Sequence, residues 1–205
     1  MDVSLAHRPR RRLHREDWIE AALGAIVRGG LGAVRIEPLA ARLGVTKGSF
    51  YAHFSSRDEL IDAALLSWES SRSDAGLERF AEIEDPAERL RQMLGAALTF
   101  TESGAGSVHV SLLGELGDPR VRAAVGRVTE ARLRLLRHSY RQLGYSPRRA
   151  DHRARLAYAA YRGLLQMARE APERQLADGD VGRFIAEVNS ALVTPPREIA
   201  TETPS

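Results

Sequence analysis

The stretch GVTKGSFYAHF, from Gly44 to Phe54, is the most informative segment of this chain. Gly44 closes a short apolar segment, and Thr46 is a residue type that caps the start of a helix. Two short helices joined by a tight glycine turn form a helix-turn-helix unit. Lys47, the only lysine in the chain, follows the cap residue. The segment therefore predicts a helix-turn-helix with a basic residue at the start of its second helix.

Helical periodicity continues on both sides of this unit. Apolar residues at helical spacing follow Glu16-Asp17 and stop at Gly29-Gly30, and Ser55 or Ser56 caps a fourth helix. Further helices are predicted at 87–100, 108–113, 119–144, 147–171 and 181–192. The pattern predicts an all-α fold of about nine helices, with an N-terminal three-helix helix-turn-helix head and a C-terminal helical bundle.

The boundaries follow from changes in composition along the chain. We expect a basic arm at 1–13, the helix-turn-helix head at 14–58, the bundle at 59–193 and a disordered tail at 194–205. No apolar run is long enough for a membrane helix, and no apolar stretch follows the basic N-terminus as in a secretion signal. We therefore expect a cytoplasmic protein that does not bind membranes.

Charge is concentrated near the N-terminus. Between Arg8 and Arg57 there are ten basic and four acidic residues, a net charge of +6, whereas the whole chain carries only +3. The absence of cysteine excludes a disulfide scaffold and thiolate metal sites. A basic N-terminal quarter on a slightly acidic remainder predicts a polyanionic partner for that quarter alone.

The residues around the second short helix suit DNA. Backbone amides at a helix start attract phosphate, and Thr46 and Lys47 lie there, while Gly48 lets the backbone approach closely. The polar side chains that can contact bases or phosphates are Ser49, Tyr51 and His53, together with Arg57 at the start of the fourth helix. Tyr51 as a packed surface aromatic and His53 as a residue that stabilises the helix end are the structural alternatives.

The basic arm contains three consecutive cations, Arg10, Arg11 and Arg12. Such an arm can follow the phosphate backbone or enter the minor groove. The alternative is a solvated tail without defined contacts, and the sequence leaves both open.

The segment GVTKGSFYAHFSSRDEL, with LAARLG before it, resembles the DNA-binding head of the tetracycline-repressor (TetR) family of transcription regulators. The resemblance covers about residues 14–68, and it implies DNA contacts at Thr46, Lys47, Gly48, Ser49, Tyr51, His53 and Arg57. The second helix departs from the pattern. It starts with Arg35-Ile36 and Pro38 where many members have Thr or Ser, and Arg35 can replace that hydroxyl contact to phosphate.

The resemblance implies that the bundle is a ligand-sensing and dimerisation domain, and that a homodimer binds a palindromic double-stranded DNA operator. Small residues on the helix at 147–171 let a second helix approach closely. The expected interface residues are Leu156, Ala160, Gly163, Leu164, Met167, Phe184 and Val188. Ordinary packing within one chain is the alternative for this set.

Large side chains on the bundle helices are candidates for lining an effector cavity. They are Trp68, Met93, Phe100, His109, Tyr140, Tyr158 and Tyr161, of which His109 and Phe100 rank first. Each of them also fits an ordinary core or surface position. The mostly aliphatic helices favour an apolar or amphipathic effector, whose identity the sequence does not give.

The sequence contains no motif of an enzyme active site. A Gly-x-Ser-x-Gly elbow, a phosphate-binding glycine loop and a His-Glu-x-x-His zinc helix are all missing, and His138 and His152 lack metal-ligand spacing. We therefore expect no catalytic residues, cofactor or metal. The resemblance to the TetR family implies a ligand-responsive DNA-binding regulator, most often a repressor in this family. The alternatives are a helical interaction or scaffold protein with a DNA-binding head and no ligand sensing, or an activator.

Overall fold

The structure, a computed structural model, describes residues 13–73, 75–102, 108–170 and 180–194, and it describes the backbone alone at 73, 75, 76, 98–102, 168 and 169. The predicted arm cations Arg10, Arg11 and Arg12 and nearly all of the predicted tail lie outside these ranges. The described part is helical, which confirms the all-α fold. Within it, no helix is long and apolar enough to cross a membrane.

The described ranges contain ten α-helices. They are α1 (Arg15–Gly29), α2 (Ile36–Leu43), α3 (Lys47–Tyr51), α4 (Arg57–Ser73), α5 (Ala75–Ala81), α6 (Pro86–Glu102), α7 (Val108–Leu113), α8 (Pro119–Gln142), α9 (Pro147–Glu170) and α10 (Val181–Leu192). A 3-10 turn, Leu31–Ala33, joins α1 to α2. The sequence pattern did not indicate α5, because its apolar side is too short to show a helical period.

Most helix ends lie where the sequence placed them. Gly44 ends α2 in the left-handed conformation, and the Val45 amide donates to the Ala40 carbonyl, which closes the turn before α3. At the start of α4 the Glu59 amide donates to Ser56 Oγ, and the Ser55 amide donates to the Glu59 carboxylate. Ser56 therefore caps α4, which is one of the two predicted caps, and the Glu59 carboxylate holds the residue before it.

The head packs around a continuous aromatic and aliphatic core. Phe50 and Phe54 are buried, and the Phe50 ring lies edge-on to Trp18 at 5.3 Å between centroids. The same cluster continues into the bundle through side chains of α4, α7 and the first half of α8, including Leu112 and Val121. The position of α3 is therefore tied to the packing of α4.

A second core lies between α6, the end of α8, α9 and α10. Arg89 is buried there without a carboxylate partner among the described residues. Its guanidinium instead donates to the carbonyls of Phe80 and Ile83 and to the side chains of Ser139 and Gln142. These bonds satisfy the buried charge and hold the connection between α5 and α6 against α8.

Candidate nucleic-acid interface and effector cavity

The exposed side of the head is formed by α3 and the residues around its start. Thr46, Lys47 and Gly48 are exposed, and Ser49 and His53 are half-buried. Tyr51 is 55% exposed, which is unusual for a large aromatic side chain. All six of these positions, which are expected to contact DNA, are therefore at least partly accessible. Thr46 occupies the N-cap position of α3, but its side chain makes no capping hydrogen bond.

Buried phenylalanines fix the orientation of this surface. Phe50 is fully buried between Trp18 and Phe54, and its ring centroid lies 5.2 Å from that of Tyr51. Because α3 is only five residues long, one anchored side chain sets the direction of the whole helix. Tyr51 consequently projects away from the core.

Lys47 is paired with Glu37 of α2. Its Nζ donates to Glu37 Oε1 at 2.9 Å, and both side chains are largely exposed. The hydrogen bond and the charge of Lys47 lower the pKa of Glu37, and those of Glu37 raise the pKa of Lys47. The sequence did not indicate this pairing, because Glu37 and Lys47 are ten residues apart on different helices. A phosphate that binds Lys47 has to compete with the Glu37 carboxylate.

The Arg57 guanidinium is hydrogen-bonded within the head. Its Nε donates to the Val34 carbonyl and its Nη2 to the Leu31 carbonyl, both at 2.6 Å. These carbonyls belong to the connection between α1 and α2, so Arg57 fastens the start of α4 to the helix-turn-helix. This placement favours a positioning role for Arg57 over the predicted phosphate contact.

A shallow groove of about 330 Å³ separates α2 from α3. It brings together predicted DNA-binding residues that are distant in sequence. The groove is lined by Arg35, Ile36, Glu37, Pro38, Lys47, Tyr51 and Arg57. Arg35 is exposed at the N-cap position of α2, and its side chain makes no capping bond there. Three cations, Arg35, Lys47 and Arg57, thus line one groove.

Side-chain hydrogen bonds join the head to the bundle. The Leu31 amide donates to Glu115 Oε1 at 3.0 Å, and Ser111 Oγ donates to the Val27 carbonyl at 3.3 Å. Arg120 of α8 donates to Asp58 of α4 at 3.1 Å. The sequence pattern gave no sign of these pairs, since they follow from tertiary structure.

A cavity of about 310 Å³ lies between α4, α5, α6, α8 and α9. Most of its lining is apolar, and its cations are Arg72, Arg79 and Arg132. The remaining lining residues are Ser71, Leu77, Phe80, Met93, Leu94, Ala96, Ala97, Leu136, Ala157, Tyr158 and Tyr161. The volume is at the lower end of the range of about 300–1,000 Å³ that is typical of small-molecule sites. The bundle can therefore enclose a small ligand.

Three aromatic rings run from the cavity wall to α4. His109 stacks on Trp68 at 5.6 Å and lies 6.4 Å from the Tyr161 ring, between centroids. His109 is only 2% exposed. Burial, together with the charges of Arg132, Arg162 and Arg72, lowers the pKa of His109 to about 3. The imidazole is therefore neutral near pH 7.

The expected effector residues whose side chains the structure describes divide into three groups. Met93, Tyr158 and Tyr161 line the cavity, whereas Trp68 and His109 lie behind Tyr161. Tyr140 is a correction, because it is a core residue: its ring is fully buried, and its hydroxyl donates to the Leu192 carbonyl at 2.9 Å. The side chain of Phe100 lies outside the described residues.

An apolar stripe on α9 is largely exposed. Leu156 is 52% and Met167 63% exposed, and Ala160 and Gly163 lie between them on the same side of the helix. A Cβ added at Gly163 would meet no described atom within 4 Å. Leu164, Phe184 and Val188, also expected at the interface, are half-buried.

Comparison with known proteins agrees with this architecture. Residues 19–64 match the family described as bacterial regulatory proteins, tetR family. No curated protein matches the chain by sequence. The matched residues run from α1 into α4, and they include all of α2 and α3.

Solved structures share the fold over nearly the whole chain. A TetR transcriptional regulator from Legionella pneumophila has a TM-score of 0.71 and 16% identity, covering 94% of this chain and 100% of its own. FadR from Bacillus subtilis in complex with stearoyl-CoA has a TM-score of 0.66 and 12% identity, covering 90% and 100%. AibR in complex with isovaleryl coenzyme A and operator DNA has a TM-score of 0.64 and 18% identity, covering 89% and 99%.

At these sequence identities the solved structures establish a shared fold. The family match is a separate finding, and it covers α2 and α3, the two helices on either side of the groove. The chain therefore carries the DNA-binding head of the tetR family of bacterial regulatory proteins, and it is a DNA-binding transcription regulator.

Proposed function

We propose that this regulator is a homodimeric repressor that binds a palindromic operator and leaves it when a small molecule occupies the bundle cavity. The observation that carries the proposal is the polar surface of α3, where Thr46, Lys47 and the exposed Tyr51 are held by the buried Phe50. Operator DNA lies in the bacterial cytoplasm, so the proposal assigns the protein to that compartment.

In this proposal α3 enters the major groove. Five residues span about 7.5 Å, which is less than the groove width of about 12 Å. Lys47 exchanges the Glu37 carboxylate for a phosphate, and Arg35, which lines the same α2–α3 groove, contacts the backbone. Ser49, Tyr51 and His53 face base edges or phosphates, and Gly48 allows close approach of the backbone. The arm cations Arg10, Arg11 and Arg12 add backbone or minor-groove contacts.

The α9 stripe supports dimerisation. Leu156 and Met167 give the stripe apolar area, while Ala160 and Gly163 leave room for a second helix to approach. A two-fold axis through α9 and α10 of both protomers buries this stripe. It also presents two copies of α3 about 34–36 Å apart, or further by whole turns of DNA.

Helix α4 is the proposed link between effector and operator. Near its end, Ser71 and Arg72 form part of the cavity wall, and at its start Arg57 holds the connection before α2. A ligand that shifts α4 therefore changes the separation of the two heads. The coupling needed is modest, typically about 1–3 kcal/mol. FadR with stearoyl-CoA and AibR with isovaleryl coenzyme A support a small-molecule effector in this fold.

Selection of bound genomic fragments tests the proposal, because it identifies the operator. The selected sequence should contain two inverted half-sites. Replacing Tyr51 with Ala should weaken operator binding about ten-fold or more with the unfolding temperature unchanged, because the side chain is mostly exposed. A loss of folding in this variant would assign Tyr51 to the core instead.

Ligand response is tested with the same protein and the selected operator. A hydrophobic compound that raises the unfolding temperature and releases the operator supports a sensor. If no compound that binds the bundle alters operator affinity, the protein is a non-sensing scaffold with a DNA-binding head. Transcription from the selected promoter, with and without the protein, separates a repressor from an activator.

A further inference from the structure

Glu37 is the one acidic residue among the described residues that line the α2–α3 groove. The cations of that groove are Arg35, Lys47 and Arg57. The Glu37 side chain is 73% exposed, and its hydrogen bond with Lys47 lowers the pKa of the carboxyl group, which is therefore ionised near pH 7. An ionised carboxylate accepts hydrogen bonds and donates none. An exposed group that can only accept hydrogen bonds thus lies in the groove beside α3.

Glu37 belongs to α2, but its carboxylate lies beside the start of α3. Its Oε1 accepts from Lys47 Nζ at 2.9 Å, and Lys47 is the first residue of α3. In a helix-turn-helix, residues at the start of the second helix contact base edges in the major groove. Tyr51, the last residue of α3, lines the same groove and is exposed. The carboxylate is therefore close to the part of the head that the proposed function places against DNA.

DNA binding changes the surroundings of this carboxylate. When Lys47 moves to a phosphate, Glu37 loses its cation, and the nearby phosphates repel the carboxylate. A hydrogen-bond donor on a base edge offsets this cost, whereas an acceptor adds to it. In the major groove guanine and thymine present acceptors, and adenine presents an acceptor beside its amino group. Cytosine alone presents a donor, its N4 amino group, and no acceptor.

We propose that Glu37 is a specificity-determining residue, which accepts a hydrogen bond from the N4 amino group of a cytosine in each half-site of the operator. Its main effect is to exclude other bases at that position, because they leave the carboxylate unpaired beside acceptors and phosphates. On the correct base the hydrogen bond only offsets the repulsion, so Glu37 adds selectivity and no affinity. This inference rests on the proposed function, since it names a base contact of the same α2–α3 groove.

Base substitutions in the selected operator test this preference. The full-length wild type and Glu37→Ala are titrated, by fluorescence anisotropy, with duplexes in which each base pair of one half-site is changed in turn. At one position the wild type should prefer cytosine to guanine or thymine by about ten-fold or more, and Glu37→Ala should lose this preference. The variant should bind the operator several-fold more tightly, and its gain on the duplexes with the wrong base should be about ten-fold larger.

Deletion of the amino group alone tests the hydrogen bond itself. The base 2-pyrimidinone is cytosine without its N4 amino group. Placed at the preferred cytosine, it should weaken binding of the wild type by about ten-fold and leave the affinity of Glu37→Ala unchanged. Equal losses in the two proteins would show that another group contacts this base, and would overturn the assignment to Glu37.

Glu20→Ala provides the control for charge. Glu20 is an exposed acidic residue of α1 outside the groove lining, so this variant also removes one negative charge from the head. It should tighten binding to all duplexes equally and keep the preference for cytosine. If Glu37→Ala does not fold, Glu37→Gln, which keeps the shape of the side chain, makes the same comparison of bases.

Three other results would overturn the inference, and they have different meanings. Uniformly weaker binding of Glu37→Ala to all duplexes would show that Glu37 positions Lys47 and contacts no base. If Glu37→Ala keeps every base preference of the wild type, the cytosine contact is wrong, while operator binding by α3 is unaffected. If the wild type itself does not distinguish the operator from a scrambled duplex, the proposed function fails together with this inference.

Discussion

Replacing Arg57 with Ala should reduce the stability of the protein and weaken operator binding indirectly. The side chain makes two charge-assisted hydrogen bonds at 2.6 Å, to the carbonyls of Leu31 and Val34. Such bonds contribute about 1.5–3 kcal/mol each when shielded from water. Because the Arg57 side chain is 40% exposed, we use the lower end of this range for each of the two bonds. The loss of both bonds should then lower the unfolding free energy by about 2–3 kcal/mol. For a chain of this size the unfolding temperature should fall by about 5–10 °C.

The salt dependence of operator binding separates this role from a phosphate contact. Removal of one phosphate contact reduces the slope of log K against log salt by about 0.9. Replacing Lys47 with Ala removes one contact from each of the two heads, so it should reduce the slope by about 1.8. It should leave the unfolding temperature unchanged, because the pairing of Lys47 with Glu37 is exposed. The Arg57→Ala variant should show the opposite result: a lower unfolding temperature and an unchanged slope.

Arg57→Lys provides the control for charge. Lysine keeps the positive charge but cannot reproduce the planar fork that reaches both carbonyls. We expect this variant to be nearly as unstable as Arg57→Ala by differential scanning calorimetry. Full stability of Arg57→Ala with a reduced salt slope would refute the positioning role and restore the direct phosphate contact.

Other contacts in the described ranges lead to four more expected outcomes. The pKa of His109 is about 3 in the folded protein and about 6.5 in the unfolded chain. Between these two pH values the unfolded chain binds one more proton than the folded protein, so acid favours unfolding. When the pH falls from 7 to 5, the unfolding free energy of the wild type should therefore decrease by about 2 kcal/mol more than that of His109→Phe, as measured in denaturant titrations. Gly30 has a φ of 65°, so Gly30→Ala should lower the unfolding free energy measured in urea by about 2 kcal/mol. Gly32→Ala is the control: an added Cβ would meet no described atom within 4 Å, so the unfolding free energy should not change. Leu156→Glu should give a folded monomer by light scattering, and a persistent dimer would exclude the α9 stripe as the interface. Glu37→Gln should tighten operator binding several-fold in anisotropy titrations, and weaker binding would show that Glu37 positions Lys47 instead.

Local signals in the sequence were sufficient for most of the helices. Helix ends depend on caps and glycines close in sequence, such as Gly44 after α2 and Asp118 before α8, whose carboxylate accepts from the Arg120 amide. The buried positions of Phe50 and Phe54 likewise follow from helical spacing. Helix α5 was not anticipated, because Leu77 and Phe80 are too few to establish a period.

The partners of individual side chains could not be predicted in this way. The approach of Lys47 to Glu37 and of Arg57 to the Leu31 and Val34 carbonyls depends on how α2, α3 and α4 pack. Tyr140 illustrates the same difficulty, since a helix position alone does not distinguish a residue facing a cavity from one facing the core.

The exposed face of α3 is proposed to read an operator sequence, and one comparison of affinities tests this most directly. The wild type and Tyr51→Ala are titrated with the selected operator and with a scrambled duplex, at one salt concentration. We predict that the wild type prefers the operator by about 1,000-fold or more, and that Tyr51→Ala loses part of this preference while remaining a folded dimer. Equal affinity of the wild type for both duplexes, or an unchanged preference in Tyr51→Ala, would contradict this role of α3.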